Sequence, residues 1–183
     1  MSAGKLIVIT GPSGVGKGTI VRSLLKSHPN LYLSISATTR QPRKGEIEGL
    51  DYYFLSRIEF ESAIADGEFL EWAEYAGNYY GTPRTKVEAQ IALGNSIILE
   101  IEVVGAKKIA AIFPDALRIF ILPPSMKELE RRIRSRGKNS EESIARRLAI
   151  AKSEIDASAE FDFTIVNDDL AKAIAKVEGV IFQ

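Results

Sequence analysis

Residues 6–19 are Leu-Ile-Val-Ile-Thr-Gly-Pro-Ser-Gly-Val-Gly-Lys-Gly-Thr, an apolar run followed by a glycine-rich turn that ends in lysine. Gly11, Gly14 and Gly16 have no Cβ, so successive backbone N–H groups can converge on anionic oxygens. The helix expected from Lys17 adds the partial positive charge of its N-terminus, and the Lys17 ammonium can reach β- and γ-phosphates. The stretch therefore predicts a strand, a phosphate-binding loop and a helix that hold a nucleoside triphosphate. A turn without a ligand would not need lysine at this spacing.

One position departs from the usual form of this loop. Gly18 stands where Ser or Thr normally follows the lysine, and Thr19 comes one residue later. Because each residue turns an α-helix by about 100°, the Thr19 hydroxyl is rotated away from the usual direction. We therefore expect Thr19 to reach a magnesium ion through water and not directly.

The composition predicts a single compact domain and excludes several functions. The 183 residues are 45% hydrophobic, and Lys plus Arg equals Asp plus Glu at 24 each, so no overall field attracts nucleic acid or membrane. The absence of cysteine excludes disulfides, thiolate catalysis and cysteine metal sites. No apolar run approaches the roughly 20 residues of a membrane span, and no signal peptide precedes the first strand. We expect a cytoplasmic protein with no nucleic-acid, membrane or obligatory protein partner.

The order of apolar patterns predicts an α/β fold. Short apolar runs indicate buried parallel strands at 6–10, 96–101, 117–122 and 163–166. Helical patterns occupy 17–27, 84–93, 105–112, 125–135, 141–158 and 169–182, and Ser125 with Glu128 forms a capping-box signal. Alternating strands and helices favour a three-layer arrangement, with a parallel central sheet between helices.

Two segments interrupt this alternation. Residues 35–82 are rich in aromatic, Gly and Pro residues and predict an inserted β-rich lobe, in which Ser56 and Glu59 begin a short helix that ends near Gly67. Residues 131–138 contain five basic residues in eight, which is typical either of a solvated helix face or of a mobile arginine lid. In a chain with a phosphate loop the lid is favoured. The expected division is a core of 1–34, 83–125 and 156–183, a lobe of 35–82 and a lid of 126–155.

Arg40 and Arg43 predict a clamp for a second phosphate. They lie three residues apart around a proline, and two guanidinium groups can bind phosphate oxygens bidentately. Exposed loop arginines with no ligand would give the same pattern. The hydroxyls of Tyr52 and Tyr80 could donate to the same phosphate, although Tyr52 could equally belong to the core.

Glu71, next to the only tryptophan, is a candidate for base recognition. It is either an ordinary solvent-facing strand residue or a buried acceptor. One carboxylate can accept from both N1–H and N2–H₂ of guanine, whereas adenine has an acceptor at N1, so a buried Glu71 would select guanine. Thr82 and Ser36 could donate to the guanine O6.

Glu100 and Glu102 are two apart at the end of the predicted strand 96–102 and are expected on one face of it. Ligands of parallel sheets bind at the carboxyl edge, which favours a functional role for both acids. Glu100 is the candidate that orients Mg²⁺ or its waters. Glu102 extends further, towards the lobe and its base.

These motifs together resemble the guanylate kinases over nearly the whole chain. The segments that carry the resemblance are Gly-Pro-Ser-Gly-Val-Gly-Lys, Thr-Thr-Arg-x-Pro-Arg-x-Gly-Glu, Asp-Tyr-x-Phe, Glu-Trp-Ala, Asn-Tyr-Tyr-Gly-Thr, Pro-Pro-Ser and Val-Asn-Asp-Asp, in the order of the family. The resemblance implies ATP-dependent phosphorylation of GMP, with Mg²⁺ as cofactor. Two residues depart from the family: Glu102 replaces its usual aspartate, and Val104 stands where glutamine is common.

The resemblance also implies roles for individual residues. The GMP pocket would contain Ser36, Arg40, Arg43, Glu46, Tyr52, Glu71, Tyr80, Thr82 and Glu102. The phosphoryl-transfer cations would be Lys17, Arg132, Arg136 and Arg147. ATP would contact Gly11, Pro12, Ser13, Gly14, Val15, Gly16, Lys17, Gly18 and Thr19, with Asn167 beside the adenine, and Thr19 and Glu100 would hold the metal through water.

Two other functions agree with part of the sequence. A nucleoside-monophosphate kinase of different base specificity is disfavoured by Glu71 and by the aromatic, strand-rich lobe. A non-catalytic module that binds protein ligands is disfavoured because such modules typically lose the glycine-rich loop, which is intact here.

Phosphoryl transfer also needs exclusion of water, so we expect lobe and lid to close when both nucleotides bind.

Overall fold

The computed structural model describes residues 4–135, 137 and 140–183. Its strands are β1 (Leu6–Thr10), β2 (Leu31–Leu33), β3 (Ala37–Thr38), β4 (Tyr53–Phe54), β5 (Phe69–Tyr75), β6 (Asn78–Pro83), β7 (Ser96–Glu100), β8 (Leu117–Leu122) and β9 (Phe163–Val166). Its helices are α1 (Lys17–Ser27), α2 (Arg57–Ala65), α3 (Arg84–Ala92), α4 (Val103–Ile112), α5 (Met126–Ser135), α6 (Glu141–Asp156) and α7 (Leu170–Ile181), with a 3₁₀ turn at Ala157–Glu160. Within these ranges no helix has the length and apolar character needed to cross a membrane.

A five-stranded parallel sheet in the order β2-β7-β1-β8-β9 forms the centre of the molecule. Strand β1 lies in the middle and is buried along its whole length. Because side chains alternate along a strand, Ile7 and Ile9 pack with α1, α5, α6 and α7, whereas Leu6 and Val8 pack with α3 and α4. This arrangement confirms the predicted α/β fold with helices on both faces of a parallel sheet.

A second sheet, in the order β4-β3-β6-β5, is formed within residues 37–83. Helix α2 covers it through Phe60, which stacks on Phe69 with ring centroids 4.5 Å apart. The predicted capping box begins this helix: Ser56 Oγ accepts from the Glu59 N–H at 3.2 Å, and Glu59 Oε2 accepts from the Ser56 N–H at 2.7 Å. The division of the chain into core, lobe and lid stays a prediction.

Four local predictions differ from the structure. Strand β2 was not predicted, because it is only three residues long and follows a proline. Strand β7 ends at Glu100, so Glu102 is the N-cap residue of α4 and not a strand residue. Strand β9 lies at the sheet edge, where Phe163 and Val166 are exposed and not buried.

The fourth difference concerns the start of α5. Ser125 Oγ accepts from the Glu128 N–H at 3.1 Å, as a capping box requires. The Glu128 carboxylate, however, accepts from the guanidinium groups of Arg131 and Arg132 at 2.7 and 2.8 Å. Only half of the predicted box is formed, because two nearby cations attract the acid more strongly than one neutral N–H.

Candidate active site

The glycine-rich turn joins the carboxyl end of β1 to α1. Residues Gly11, Pro12, Ser13, Gly14, Val15 and Gly16 form the turn, and Lys17, Gly18 and Thr19 begin the helix. The Lys17 ammonium donates to Gly11 O and, at 3.3 Å, to Pro12 O. Among the described residues no side chain caps α1, and its first turn holds no acid. The N–H groups at this helix end are therefore not bound by a capping side chain and are suited to bind an anion.

Asn167 holds the glycine-rich loop through a hydrogen bond to its backbone. Its Nδ2 donates to Val15 O at 2.8 Å, and its side chain is buried. Gly16 has φ near +105°, and a Cβ there would lie 2.5 Å from Asn167 Nδ2. Glycine is thus required for both conformation and space. The structure gives Asn167 a role in shaping the loop, which its expected position beside the adenine did not include.

Two of the predicted lid arginines contact the same loop. Arg132 donates from Nη1 to Val15 O at 3.3 Å and from Nη2 to Asn167 O at 3.0 Å. Arg147, on α6, donates from Nη2 to Ser13 Oγ at 2.6 Å. Arg136 lies outside the described residues. The exposed Arg131 and Arg134 instead form ion pairs with nearby glutamates, as a solvated helix face does.

Glu100 lies over the start of α1. A Cβ on Gly18 would be 3.5 Å from Glu100 Oε1, so Glu100 lies close to Gly18. Thr19, the next residue of the helix, is exposed. Burial raises the pKa of the Glu100 carboxyl, the nearby charges of Lys17 and Arg22 oppose this, and Glu102 adds to it.

The donor set fits magnesium bound together with a nucleotide. The described residues contain no group of three or more His, Cys, Asp or Glu side chains able to hold a metal ion on their own. Mg²⁺ usually takes one or two carboxylates, several waters and substrate phosphates. One carboxylate beside an anion-binding loop supplies the protein part of such a set.

A cavity between the second sheet and the edge of the central sheet collects most of the predicted base-side residues. It is lined by Ser36, Tyr52, Glu71, Ala73, Tyr75, Tyr80, Gly81, Glu100, Ile101, Glu102 and Gly105. Glu100 and Glu102 both line it, Glu100 as the last residue of β7 and Glu102 as the N-cap of α4. The cavity is mixed in character, with carboxylates and phenols beside small apolar residues.

Glu71 is a buried acceptor and not a solvent-facing strand residue. Only 6% of it is exposed, and its partner across the two strands is Thr82, whose Oγ1 donates to Glu71 Oε1 at 2.6 Å. Burial raises the pKa of the Glu71 carboxyl, and the Thr82 hydrogen bond and the Lys108 charge oppose this. A buried carboxylate with one oxygen already paired is suited to accept from a ligand that offers N–H donors.

Arg40 lies at the other end of this region and is fixed by Glu46. Its Nη1 and Nη2 donate to Glu46 Oε2 and Oε1 at 3.0 and 2.9 Å, and its Cζ is 5.2 Å from the centre of the Tyr52 ring. Tyr80 packs edge-on against Tyr52 at 6.2 Å. Arg43 is exposed, and its backbone N–H donates to Glu46 Oε2 at 2.7 Å. Burial raises the pKa of Tyr52 to about 12, and the charge of Glu100 adds to this.

Several residues of the site were not predicted. Ala73 and Tyr75 share the Glu71 face of β5, and the two-residue period of that strand was the signal that could have found them. Glu154 on α6 had no such signal. Glu154 is 8% exposed. Burial raises the pKa of its carboxyl to about 8, the charge of Glu102 adds to this, and the charge of Lys17 opposes it.

A phosphate-binding loop at the carboxyl edge of a parallel sheet, next to a polar cavity lined by an inserted sheet, defines a P-loop nucleotide-binding protein of the kinase type. The guanylate kinase family model matches residues 3–183. This chain therefore belongs to the guanylate kinase family.

Individual relatives agree with this assignment. A guanylate kinase of Trichormus variabilis is 62% identical over 181 residues, which are 99% of this chain and 91% of the relative. A guanylate kinase of Synechococcus elongatus is 56% identical over the full length of both chains. The crystal structure of guanylate kinase from Anaplasma phagocytophilum superimposes with a TM-score of 0.84 at 36% identity, covering 100% of this chain and 86% of that one. A shikimate kinase of Bacteroides thetaiotaomicron, at 14% identity and a TM-score of 0.54, shares the fold.

Proposed function

We propose that the protein transfers the γ-phosphoryl group of ATP to GMP and releases ADP and GDP. The observation that carries the choice of base is the buried Glu71 carboxylate, hydrogen-bonded to Thr82 in a cavity next to the phosphate-binding loop. Guanine can donate N1–H and N2–H₂ to such a carboxylate, whereas adenine would leave it unpaired. Full-length similarity to guanylate kinases supports the same reaction.

ATP would occupy the loop between β1 and α1. The backbone N–H groups between Gly11 and Thr19, except at Pro12, which has none, bind its phosphates together with the α1 N-terminus, and Lys17 contacts the β- and γ-phosphates. Arg132 and Arg147, which already contact Val15, Asn167 and Ser13, are within reach of the same phosphates. Arg136 would complete this set of cations.

GMP would lie between the two sheets. Arg40, Arg43, Tyr52 and Tyr80 bind its phosphate, with Glu46 holding Arg40 in place. At the other end Glu71 accepts from the guanine N–H groups, and Ser36 donates to O6. Thr82 donates its one hydroxyl proton to Glu71 and so orients that carboxylate in the GMP pocket. Glu102 is an auxiliary acceptor, because its extra methylene relative to aspartate favours a contact through water.

The reaction needs positioning and charge stabilisation more than covalent help. An ionised phosphate oxygen of GMP attacks the γ-phosphorus of ATP, and the bond to the β–γ bridging oxygen breaks, so that ADP leaves. No general base is needed, because the attacking oxygen carries no proton to remove. Lys17 and the arginines stabilise the charge on the transferring group. Mg²⁺, held through water by Glu100 and Thr19, would neutralise β- and γ-phosphate oxygens.

The inserted segments are expected to keep water away from the transferring phosphoryl group. We propose that 35–82 acts as the GMP lobe and 126–155 as the lid, and that both close on the core when the two nucleotides are bound. We propose the cytoplasm as the location of the reaction, with ATP and GMP as the partners. Small-angle scattering should then report a smaller radius of gyration with ADP and GMP together than with either alone.

A coupled assay tests the proposal directly. The purified protein is incubated with ATP, Mg²⁺ and GMP, AMP or UMP, and the release of ADP is followed. We expect turnover with GMP and at least about a hundredfold lower kcat/KM with the other two nucleotides. Preferred use of AMP or UMP would support a kinase of different specificity, and no turnover with any nucleotide would support a non-catalytic module.

A further inference from the structure

Gly105 is in unusually close contact with the carboxylate of Glu71. It is the third residue of α4, is buried and lines the cavity. A Cβ built on it would lie 2.6 Å from Glu71 Oε2, 3.0 Å from Cδ and 3.2 Å from Oε1. A Cβ and an oxygen that are not linked covalently essentially never approach within 3.0 Å, so a larger residue at 105 requires a shift of the carboxylate or of the helix.

The helix itself does not require glycine at this position. Gly105 is not among the residues with positive φ, and it lies inside a regular helix. Alanine is a better helix former than glycine because it loses less backbone entropy on folding. The remaining reason for glycine is the space that it leaves for Glu71.

The carboxylate, and not the helix, would yield to a new methyl group. The helix backbone is held by its hydrogen bonds and by Ala106 and Ile109 in the core, whereas the carboxylate is the end of a longer side chain. Glu71 can move only by turning or withdrawing, and either motion disturbs the 2.6 Å bond from Thr82 and the direction of Oε2.

We propose that Gly105 is a specificity-determining residue that acts through Glu71. Because Gly105 has no side chain, it leaves the space that the Glu71 carboxylate occupies when it accepts hydrogen bonds from guanine. This inference rests on the proposed function, since it assigns Glu71 to base recognition. Gly105 does not touch the reacting groups and is a positioning residue. It should affect the choice and binding of the base and leave the ATP side unchanged.

The test compares Gly105→Ala with Gly179→Ala, the same substitution in α7, where a Cβ would meet nothing within 4 Å. For Gly105→Ala we expect the KM for GMP to rise about tenfold or more and the GMP/AMP preference to narrow. The KM for ATP should stay within about twofold of wild type. Gly179→Ala should leave all three quantities unchanged, and circular dichroism should show an intact fold for both variants.

A double-mutant cycle shows whether the effect passes through Glu71. In a Glu71→Ala background the carboxylate is absent, so adding Gly105→Ala should change the KM for GMP by less than about twofold. An equal penalty in both backgrounds would overturn the inference, as would a wild-type KM and base preference for Gly105→Ala. If Gly105→Ala unfolded while the double variant folded, the glycine would serve packing alone, and the specificity role would be wrong. Absence of GMP phosphorylation by the wild-type protein would instead refute the proposed function.

Discussion

Arg40 and Glu46 form a two-bonded ion pair across the loop after β3, with nitrogen–oxygen distances of 3.0 and 2.9 Å. Both side chains are largely buried, at 14% and 18% exposed. The Glu46 carboxylate also accepts from the Arg43 backbone N–H, so one acid fixes the loop and orients the guanidinium beside Tyr52. Fixed geometry of this kind reduces the entropy that a phosphate clamp loses on binding its ligand.

Removal of this cation should weaken GMP binding selectively. Hydrogen bonds to charged groups contribute about 1.5–3 kcal/mol, which corresponds to about a ten- to hundredfold rise in KM for GMP in Arg40→Ala. Arg43→Ala should act in the same direction, and Glu46→Gln should give a smaller rise because Arg40 remains. Arg57→Ala, an exposed arginine of the same sheet region, is the control. Equal weakening of GMP and ATP would contradict a clamp on the GMP side.

Lys17→Met should stop the chemistry and leave the fold intact. Within the described part of the chain the Lys17 ammonium donates to backbone oxygens of its own loop and packs in no core cluster, so its loss removes no core contact. We expect kcat to fall by at least about a hundredfold, as when a preorganised charge is removed from a transition state. Lys26→Met, exposed in the last turn of the same helix, is the control. A purified Lys17→Met enzyme with near wild-type turnover would refute the phosphate-loop assignment.

Arg132→Ala and Arg147→Ala should lower kcat more than they raise either KM. These cations reach the phosphate loop, and their charge matters most while the γ-phosphoryl group is in transit. Each has a control on the same helix, Arg134→Ala and Arg146→Ala, whose exposed guanidinium groups pair with other glutamates. Steady-state kinetics with both substrates varied would separate the two effects. A variant with intact kcat and weaker GMP binding would contradict the lid interpretation.

The sequence predicted what depends on local patterns and missed what depends on contacts between distant segments. The bounds of β1, α1 and β8 were predicted because apolar periodicity and glycine spacing determine them. Glu71 was predicted as an acceptor from its residue type and neighbours. Its pairing with Thr82 depends on the register of β5 and β6, which no local pattern contains.

Other parts of the site had no local signal at all. The support that Asn167 gives to Val15 joins residues 152 positions apart. The close approach of Glu71 to Gly105 requires that the first turn of α4 pack against β5. Glu154 looks like any acid on a helix until the fold buries it near Glu102. Such contacts arise from packing, and a single sequence does not specify them by spacing.

Glu154 predicts a pH dependence of stability. Within the described residues the buried Oε2 atoms of Glu154 and Glu102 have no hydrogen-bond partner. Protonation of Glu154 removes the repulsion between the two acids. Burial and the charge of Glu102 raise the pKa of Glu154 from 4.5 to about 8. The folded state therefore binds this proton more tightly than the unfolded state. The stability from it is complete below the unfolded pKa, near 4.5, and is lost as pH rises to about 8.

Glu154→Gln should flatten this dependence, because an amide keeps a donor in place at every pH. We expect the Tm of wild type to fall relative to the variant between about pH 5 and pH 8. Thermal unfolding followed by circular dichroism across this range gives the difference. Glu142→Gln, an exposed position on the same helix, should leave the wild-type curve unchanged. Parallel curves for wild type and Glu154→Gln would show that the carboxyl titrates normally in the folded protein.

Base choice gives the sharpest test of the site, and Glu71 should be its main determinant. Glu71→Gln keeps the shape and can still accept from Thr82, but it presents an NH₂ donor to the N1–H and N2–H₂ donors of guanine. Unpaired buried polar groups cost about 1–3 kcal/mol each, so kcat/KM for GMP should fall by about a hundredfold. Activity with AMP should change far less, and the GMP/AMP preference should narrow.

Glu102 should rank second. It is the N-cap of α4, it lines the same cavity, and it is one methylene longer than the aspartate usual in the family, so its contact with guanine should run through water. Glu102→Asp should therefore be tolerated, with kcat/KM for GMP within about threefold of wild type, and Glu102→Gln should cost less than Glu71→Gln. For each variant and for wild type, kcat and KM are measured with GMP and with AMP. Suppose instead that Glu102→Gln lowered kcat/KM for GMP strongly and Glu71→Gln hardly changed it. Guanine would then have to bind nearer to the end of β7 than to the Glu71–Thr82 pair.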